Sequence, residues 1–181
     1  PVDAKDTRTK RRILEILFEH RERWINPMLI ASGLRPYRRV SLTDQAIADL
    51  RVDDPWYRVA LIGEKVVGFM CYARYKRGKL SSAEPRDSLR VDPRRLAIDG
   101  PYVDWQCMGM DIGSILLRDI AEHVAPDIIM VVTLPAAAER AIAFFSKAGF
   151  VDSCSRTSIP MFNQADFVAT AGSVCSALRG E

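Results

Sequence analysis

The most constraining feature of this chain is a regular alternation of strand-like and helix-like segments between residues 96 and 152. It comprises a strand at 96–107, an amphipathic helix at 112–124, an uninterrupted apolar run at 127–134 and a second helix at 136–148. A continuous apolar run is typical of a strand buried on both faces. Because a strand–helix–strand crossover joins parallel neighbours, we expect the strands that flank the first helix to be parallel. The pattern predicts an α/β domain.

Two further strand-like segments precede this unit. Residues 56–62 and 65–75 are rich in Val, Tyr and Phe, and Gly63-Glu64 between them predicts a hairpin turn. Residues 76–95 are charged and contain prolines, which predicts a loop with room for a short strand. The strand at 96–107 is expected to be interrupted or bulged near Gly100-Pro101.

The segments after the second helix are shorter. Gly149 is predicted to be the C-cap of that helix, and residues 150–152 and 157–162 are predicted strands. The tail at 165–181 carries apolar residues among small ones. We expect it to form a helix that docks either on the domain or on a partner. Its apolar residues are Phe167, Val168, Val174, Cys175 and Leu178.

The N-terminal segment is predicted to be helical and is unusually basic. Residues 9–25 form an amphipathic pattern that Asn26-Pro27 should stop or kink, and a second, short helix is expected after Thr43 or Asp44. Residues 1–40 contain ten Lys or Arg and five Asp or Glu, within a chain of net charge +3. Two interpretations stay open, an anionic or protein partner for this arginine-rich helix and a solvated helix face.

Length and composition exclude several classes of protein. A chain of 181 residues fits one domain, and it has no apolar run long enough to span a membrane and no apolar leader at its start. Its four cysteines are scattered and lack metal-ligand spacing to either histidine, so we expect no metal site and a reducing, cytoplasmic environment. Serine-nucleophile and dinucleotide motifs are absent, and nucleic acid is not an expected partner.

Three stretches occur in an order and spacing that resemble the GNAT acyltransferase superfamily. They are YRRVSLTD at 37–44, YVDWQCMGMDIGSILL at 102–117 and AIAFFSKAGF at 141–150. The resemblance implies a mixed, mostly antiparallel central sheet with a parallel pair, flanked by helices. It also implies three segments: an N-terminal helical extension at 1–36, a GNAT-like domain at 37–164 and the tail at 165–181.

In this family the second stretch holds coenzyme A. A strand leads into a glycine-rich turn whose backbone N–H groups, with the following helix N-terminus, bind the pyrophosphate. The resemblance therefore implies binding of acetyl-CoA or another acyl-CoA by a set of residues around this turn and the late helix. These residues are Val103, Met108, Gly109, Met110, Asp111, Ile112, Gly113, Ser114 and Phe145.

The chain departs from the family pattern of Gln or Arg, two residues, Gly, one residue, then Gly or Ala. The chain can be aligned with this pattern in two registers, which place either Met108 or Gln106 at the first position. In both registers Asp111 stands where the pattern has a small residue. Its carboxylate is expected to cap the helix amides and to repel a phosphate. Phe145 and Ala138 stand where many relatives have Tyr and Asn, and Phe145 cannot donate a proton.

Two aspartates near the strand end, Asp99 and Asp104, are the candidate general bases, although solvated or turn-capping roles are open for both. Two functional hypotheses follow. One is an N-acyltransferase, most simply an acetyltransferase, that moves an acyl group from acyl-CoA to a small-molecule or protein amine. The other is an inactive GNAT-fold module for binding or assembly. The conformation at Asp111 discriminates them, since open amides favour the enzyme and a carboxylate cap favours the module.

Overall fold

The computed structural model describes residues 7–31, 33, 35–36, 57–77, 90–135, 138–159 and 162–180. The opening strand predicted at 37–44 and the short helix predicted after Thr43 or Asp44 lie outside the described residues. The boundary predicted between residues 36 and 37 likewise adjoins a segment that is not described.

Six strands form one sheet in the order β1-β2-β3-β4-β6-β5. Strands β3 and β4 are parallel, whereas β1–β2, β4–β6 and β5–β6 are antiparallel. The predicted mixed, mostly antiparallel sheet with one parallel pair is therefore confirmed. The strands are β1 (Tyr57–Ile62), β2 (Lys65–Arg77), β3 (Arg90–Val103), β4 (Ile129–Pro135), β5 (Val151–Ile159) and β6 (Phe162–Thr170).

Helices lie at residues 7–31 and 171–179 and at the two positions predicted between residues 112 and 148. A π-helical segment, Arg21–Ile25, joins the first two helices. Pro27 lies just after it, in the first turn of the second helix, and lacks the N–H that a continuous α-helix would use. Among the described residues no helix is long and apolar enough to cross a membrane. The helices are α1 (Thr7–His20), α2 (Asn26–Ala31), α3 (Ile112–Glu122), α4 (Glu139–Lys147) and α5 (Ala171–Arg179), with a 3-10 turn at Trp105–Cys107.

The chain divides into two compact units, of which the first comprises Pro1–Cys71 and Gly100–Asp119. Its core joins α1 to β2 through Ile13, Ile16, Val66 and Phe69. The ring of Phe69 stacks on Tyr102 with centroids 4.9 Å apart. Apolar residues at 13 and 16 fall on one face of α1, so the predicted amphipathic helix is confirmed and its buried face is identified.

The second unit comprises Tyr72–Asp99 and Ile120–Glu181. Its core includes Met130 and Val131 of β4 and an edge-to-face pair of Phe145 and Phe150, with centroids 5.1 Å apart. The C-cap of α4 is Ala148, one residue before the predicted Gly149, and Gly149 follows it in the left-handed conformation with φ 87°.

The tail differs from the predicted helix. Its first residues belong to β6, which pairs with β4 on one side and β5 on the other, and the boundary predicted at 164/165 falls inside this strand. The helix begins only at Ala171, where the Thr170 hydroxyl accepts a hydrogen bond from the Ser173 N–H at 3.1 Å. A strand forms because two neighbours satisfy its backbone groups, which local periodicity does not reveal.

The third strand also differs from expectation at both ends. It begins at Arg90, inside the predicted loop, and ends at Val103, so that residues 105–107 form a 3-10 turn where the sequence predicts strand. The irregularity expected near Gly100-Pro101 is present as φ 110° at Gly100, and β3 continues through it.

Candidate functional site

The turn between β3 and α3 forms the centre of the candidate site. The chain leaves β3 in a short 3-10 turn, in which the Cys107 N–H donates to the Asp104 carbonyl oxygen at 2.8 Å. The Met110 N–H then donates to the Cys107 carbonyl oxygen at 3.3 Å. Gly109 and Asp111 both have left-handed backbone, with φ of 86° and 58°. Such alternation of backbone handedness turns successive N–H groups toward one side.

Asp111 adopts the conformation that a glycine would supply at this position. Aspartate is one of the few side chains that tolerate the left-handed region. Because Gly109 and Asp111 both have positive φ, the geometry accommodates either register of the family pattern.

The Asp111 side chain does not cap the helix that follows it. The carboxylate is exposed and accepts no hydrogen bond from any residue that the structure describes, while the Asp111 carbonyl oxygen accepts from the Ile115 N–H at 3.1 Å. The amides of Ile112, Gly113 and Ser114 belong to the first helical turn, whose N–H groups have no intrahelical acceptor. The expected carboxylate cap is therefore absent from the described turn, and no described side chain accepts a hydrogen bond from these amides.

Eight of the predicted cofactor-binding residues lie together in the first unit. Val103 is half-buried at the end of β3, and Ile112 is buried beside Gly68 of β2. The residues between them form the turn, where Met108 and Met110 are exposed at 45% and 55%, while Gly113 and Ser114 in the first turn of α3 are half-buried.

Phe145 belongs to the second unit and is fully buried there. Its ring contacts Phe144 and Phe150 at centroid distances of 5.0 and 5.1 Å. Ala138, at the N-cap of α4, forms no side-chain cap hydrogen bond.

The two candidate bases have different environments. Asp99 is exposed and belongs to the second unit, whereas Asp104 belongs to the first unit and is 1% exposed. Burial by itself would raise the pKa of Asp104. The Gln106 N–H, Lys65 and Arg12 together outweigh that effect, so the pKa of Asp104 lies below its ordinary value. A carboxylate in this environment is a weak proton acceptor, and these contacts do not favour Asp104 as the general base.

Sequence reasoning missed the two cations around Asp104. Arg12 is one of the basic residues of α1, for which a solvated helix face was one of two open interpretations, yet its side chain is half-buried against Asp104. Lys65 opens β2 and contacts the same carboxylate. No motif pointed to them, because the pairing joins residues 12, 65 and 104 through the tertiary fold.

Together, the sheet topology and the turn define a class of mixed α/β protein in which a strand, a turn with two left-handed residues and a helix follow one another. The chain belongs to the Acetyltransferase (GNAT) family, whose family model matches residues 18–150. No curated protein matches this sequence.

Solved structures of the same fold are similar over most of the chain. Ribosomal-protein-alanine N-acetyltransferase from Brucella melitensis has a TM-score of 0.59 at 16% identity, covering 91% of this chain and 96% of that one. An acetyltransferase from Thermus thermophilus has a TM-score of 0.54 at 16% identity, covering 94% of each. Ard1 from Thermoplasma volcanium has a TM-score of 0.52 at 19% identity, covering 79% of this chain and 86% of that one. At these identities the likeness establishes the fold.

Proposed function

We propose that this protein is an N-acyltransferase that transfers an acyl group, in the first instance acetyl, from acyl-CoA to an amine. Family membership supports the reaction class. The observation that carries the proposal is the turn at 107–114, whose first-turn amides are capped by no carboxylate in the described part of the chain, although Asp111 precedes them. An open set of amides at a helix N-terminus is suited to a pyrophosphate.

The carboxylate of Asp111 weakens such a site without closing it. Two unit charges 4 Å apart in water interact by about 1 kcal/mol, and salt reduces this further for exposed groups. Since Asp111 is exposed, its repulsion is small beside hydrogen bonds from backbone amides to a charged ligand, which contribute about 1.5–3 kcal/mol each. We therefore expect CoA to bind, with lower affinity than a glycine at 111 would allow.

The chemistry needs little from Phe145. In aminolysis of a thioester the amine nitrogen attacks the carbonyl carbon, the C–S bond breaks, and the thiolate leaves while the nitrogen loses a proton. A thiol with a pKa near ~8.5 leaves readily at neutral pH, so a buried phenylalanine in place of a proton donor is compatible with turnover. Of the two candidate bases, the exposed Asp99 remains our proposal for the proton acceptor.

The acceptor is proposed only as an amine, on a small molecule or a protein. The four cysteines form no disulfide with one another, as is usual in a reducing compartment, and we keep the cytoplasm as the proposed location.

A thermal-unfolding experiment with acetyl-CoA tests the proposal. Ligand at about 100 times its dissociation constant adds about 2.7 kcal/mol of stability, a Tm increase of roughly 5–10 °C for a chain of this length. Asp111→Gly should increase that shift because the charge is removed and the left-handed backbone is kept. Asp127→Asn, which removes an exposed carboxylate in the second unit, should leave the shift at the wild-type value.

Absence of a shift with acetyl-CoA, longer acyl-CoA and free CoA, in the wild type and in Asp111→Gly, would contradict the proposal. The protein would then be studied as a binding module. The first place to seek a protein partner would be α1, where Arg8 and Arg11 are exposed. If the shift is present, amine acceptors are screened next.

A further inference from the structure

A buried carboxylate connects three separate elements of the first unit. Oδ2 of Asp104 accepts from Nη2 of Arg12 in α1 at 2.5 Å and from Nζ of Lys65 in β2 at 3.1 Å. Oδ1 accepts from the Gln106 N–H in the 3-10 turn at 3.1 Å. Both oxygens are therefore engaged, and the donors come from a helix, a strand and the turn itself.

Of the two cations on this carboxylate, Arg12 has a second partner on its own helix. Nη1 of Arg12 donates to Glu15, one turn along α1, at 2.9 Å, and the Arg12 side chain is 21% exposed. Lys65 is more exposed, at 53% for its side chain, so its contribution is more strongly screened by solvent. Arg12 is the partner that fixes Asp104 most firmly, because it is less solvated and its planar group has a defined geometry.

The backbone of Asp104 also links β2 to the turn. Its own N–H donates to the Val67 carbonyl oxygen of β2 at 2.8 Å, and its carbonyl oxygen accepts from the Cys107 N–H. The Cys107 carbonyl oxygen in turn accepts from the Met110 N–H, between the two left-handed residues. A continuous set of hydrogen bonds thus runs from Asp104 to the residues that place the turn amides.

We infer that Asp104 is a positioning residue for the turn at 107–114 and that Arg12 of α1, through Asp104, sets the affinity of that turn for acyl-CoA. The inference rests on the proposed function for its ligand. It assigns the basic N-terminal helix a role in the site that requires no contact with the cofactor. It also explains why a carboxylate so close to the turn makes a poor base.

The test compares Arg12→Met, Asp104→Asn and Arg12→Lys with the matched control Arg11→Met, an exposed arginine one residue away on the same helix. Acetyl-CoA dissociation constants are measured by calorimetry on the full chain, below the unfolding temperature of each variant. We expect Arg12→Met and Asp104→Asn to weaken binding about tenfold. Arg12→Lys should recover much of the loss, and Arg11→Met, which removes the same charge from the helix, should weaken binding far less than Arg12→Met does.

A second readout needs no ligand. Amide hydrogen exchange, resolved by NMR, should accelerate at Cys107 and Met110, whose N–H groups donate within the turn, in Arg12→Met, while amides of β4 in the second unit keep their wild-type rates. A uniform loss of protection would indicate general destabilisation and would contradict a positioning role. Wild-type affinity in both Arg12→Met and Asp104→Asn would overturn the inference.

Failure of the proposed function and failure of the positioning inference give different results in these experiments. If the wild type does not bind acetyl-CoA, the proposed function fails, and the exchange rates at Cys107 and Met110 alone decide whether Arg12 positions the turn. If the wild type binds and the exchange rates at the turn do not change in Arg12→Met, the positioning inference fails and the proposed function stands.

Discussion

At the scale of the residue, Asp104 illustrates how burial and pairing act in opposite directions on a carboxylate. Removing it from water disfavours its charge, and the two cations and one amide around it favour that charge. Removal of one partner of a buried ion pair typically costs about 3–5 kcal/mol, because the remaining charge is left uncompensated. Here the cost should lie below that range, since the Lys65 side chain is half exposed and can be hydrated.

The lowered pKa of Asp104 predicts a specific dependence of stability on pH. Because the folded pKa lies below the unfolded value, the stabilisation is complete above about pH 4–5 and is lost as the pH falls through the folded pKa. The groups that face the carboxylate are Arg12 and Lys65, with Glu15 on the far side of Arg12. Urea unfolding at pH 7, 5, 4 and 3 should therefore show Asp104→Asn converging on the wild type toward acid.

Asp127→Asn serves as the control for that series, since it removes an exposed carboxylate. It should follow the wild type at every pH. If the Asp104→Asn curve instead runs parallel to the wild type down to pH 3, Asp104 does not contribute through its charge.

At the scale of the element, the close approach of α3 to β2 depends on a residue without a side chain. A Cβ added at Gly68 would lie 3.0 Å from Cγ2 of Ile112 and 3.1 Å from the Tyr102 carbonyl oxygen. Ile112 is the first residue of α3, so Gly68 sets how near the helix N-terminus and the turn before it lie to β2.

Gly68→Ala should destabilise the protein by about 1–3 kcal/mol through overpacking and should weaken acetyl-CoA binding, because Ile112 is displaced. Urea unfolding and calorimetry measure the two effects. In an Ile112→Ala background the side-chain clash is removed, so the added cost of Gly68→Ala should be smaller. Equal costs in both backgrounds would show that Ile112 is not the residue that resists the new methyl group.

Elements with strong local signals were predictable from the sequence. The hairpin at Gly63-Glu64, the buried run that became β4, and α3 with its periodic apolar face follow from patterns within a few residues. The strand at 162–170 could not be predicted from a local pattern, because its pairing partners β4 and β5 lie elsewhere in the chain. The extension of β3 to Arg90 could not be predicted either, since charged residues and proline there indicated a loop.

The candidate site was predictable in the same partial way. Resemblance located the turn and its helix, and the chemistry of Asp111 predicted a cap that the structure does not have. A left-handed backbone at 111 directs the chain differently from an ordinary N-cap, and residue type alone does not reveal this. The Arg12–Asp104 pair was beyond prediction since the two residues are 92 positions apart.

At the scale of the whole molecule, charge is distributed unevenly along the chain. The net charge is +3, and residues 1–40 carry ten Lys or Arg against five Asp or Glu. Coenzyme A carries several negative charges on its phosphates, so the protein's field should favour its approach. This contribution is long-ranged and is therefore sensitive to salt.

Raising NaCl from about 0.1 M to about 1 M shortens the Debye length from about 10 Å to about 3 Å, and the acetyl-CoA dissociation constant should rise several-fold. S-acetylpantetheine, which lacks the phosphates, is the matched ligand and should bind weakly with little dependence on salt. The same salt dependence for both ligands would exclude attraction of the phosphates as its cause.

The left-handed backbone at Asp111 has a consequence for how this protein can change over generations. A single-base change converts a glycine codon to an aspartate codon or back, and the backbone at φ 58° accepts either residue. The path of the chain through the turn can thus be inherited intact while the side chain at 111 changes by point mutation. The departure from the family pattern at this position can be reversed by one base change. A comparison of side chains alone would class this turn as lost, although its backbone conformation is retained.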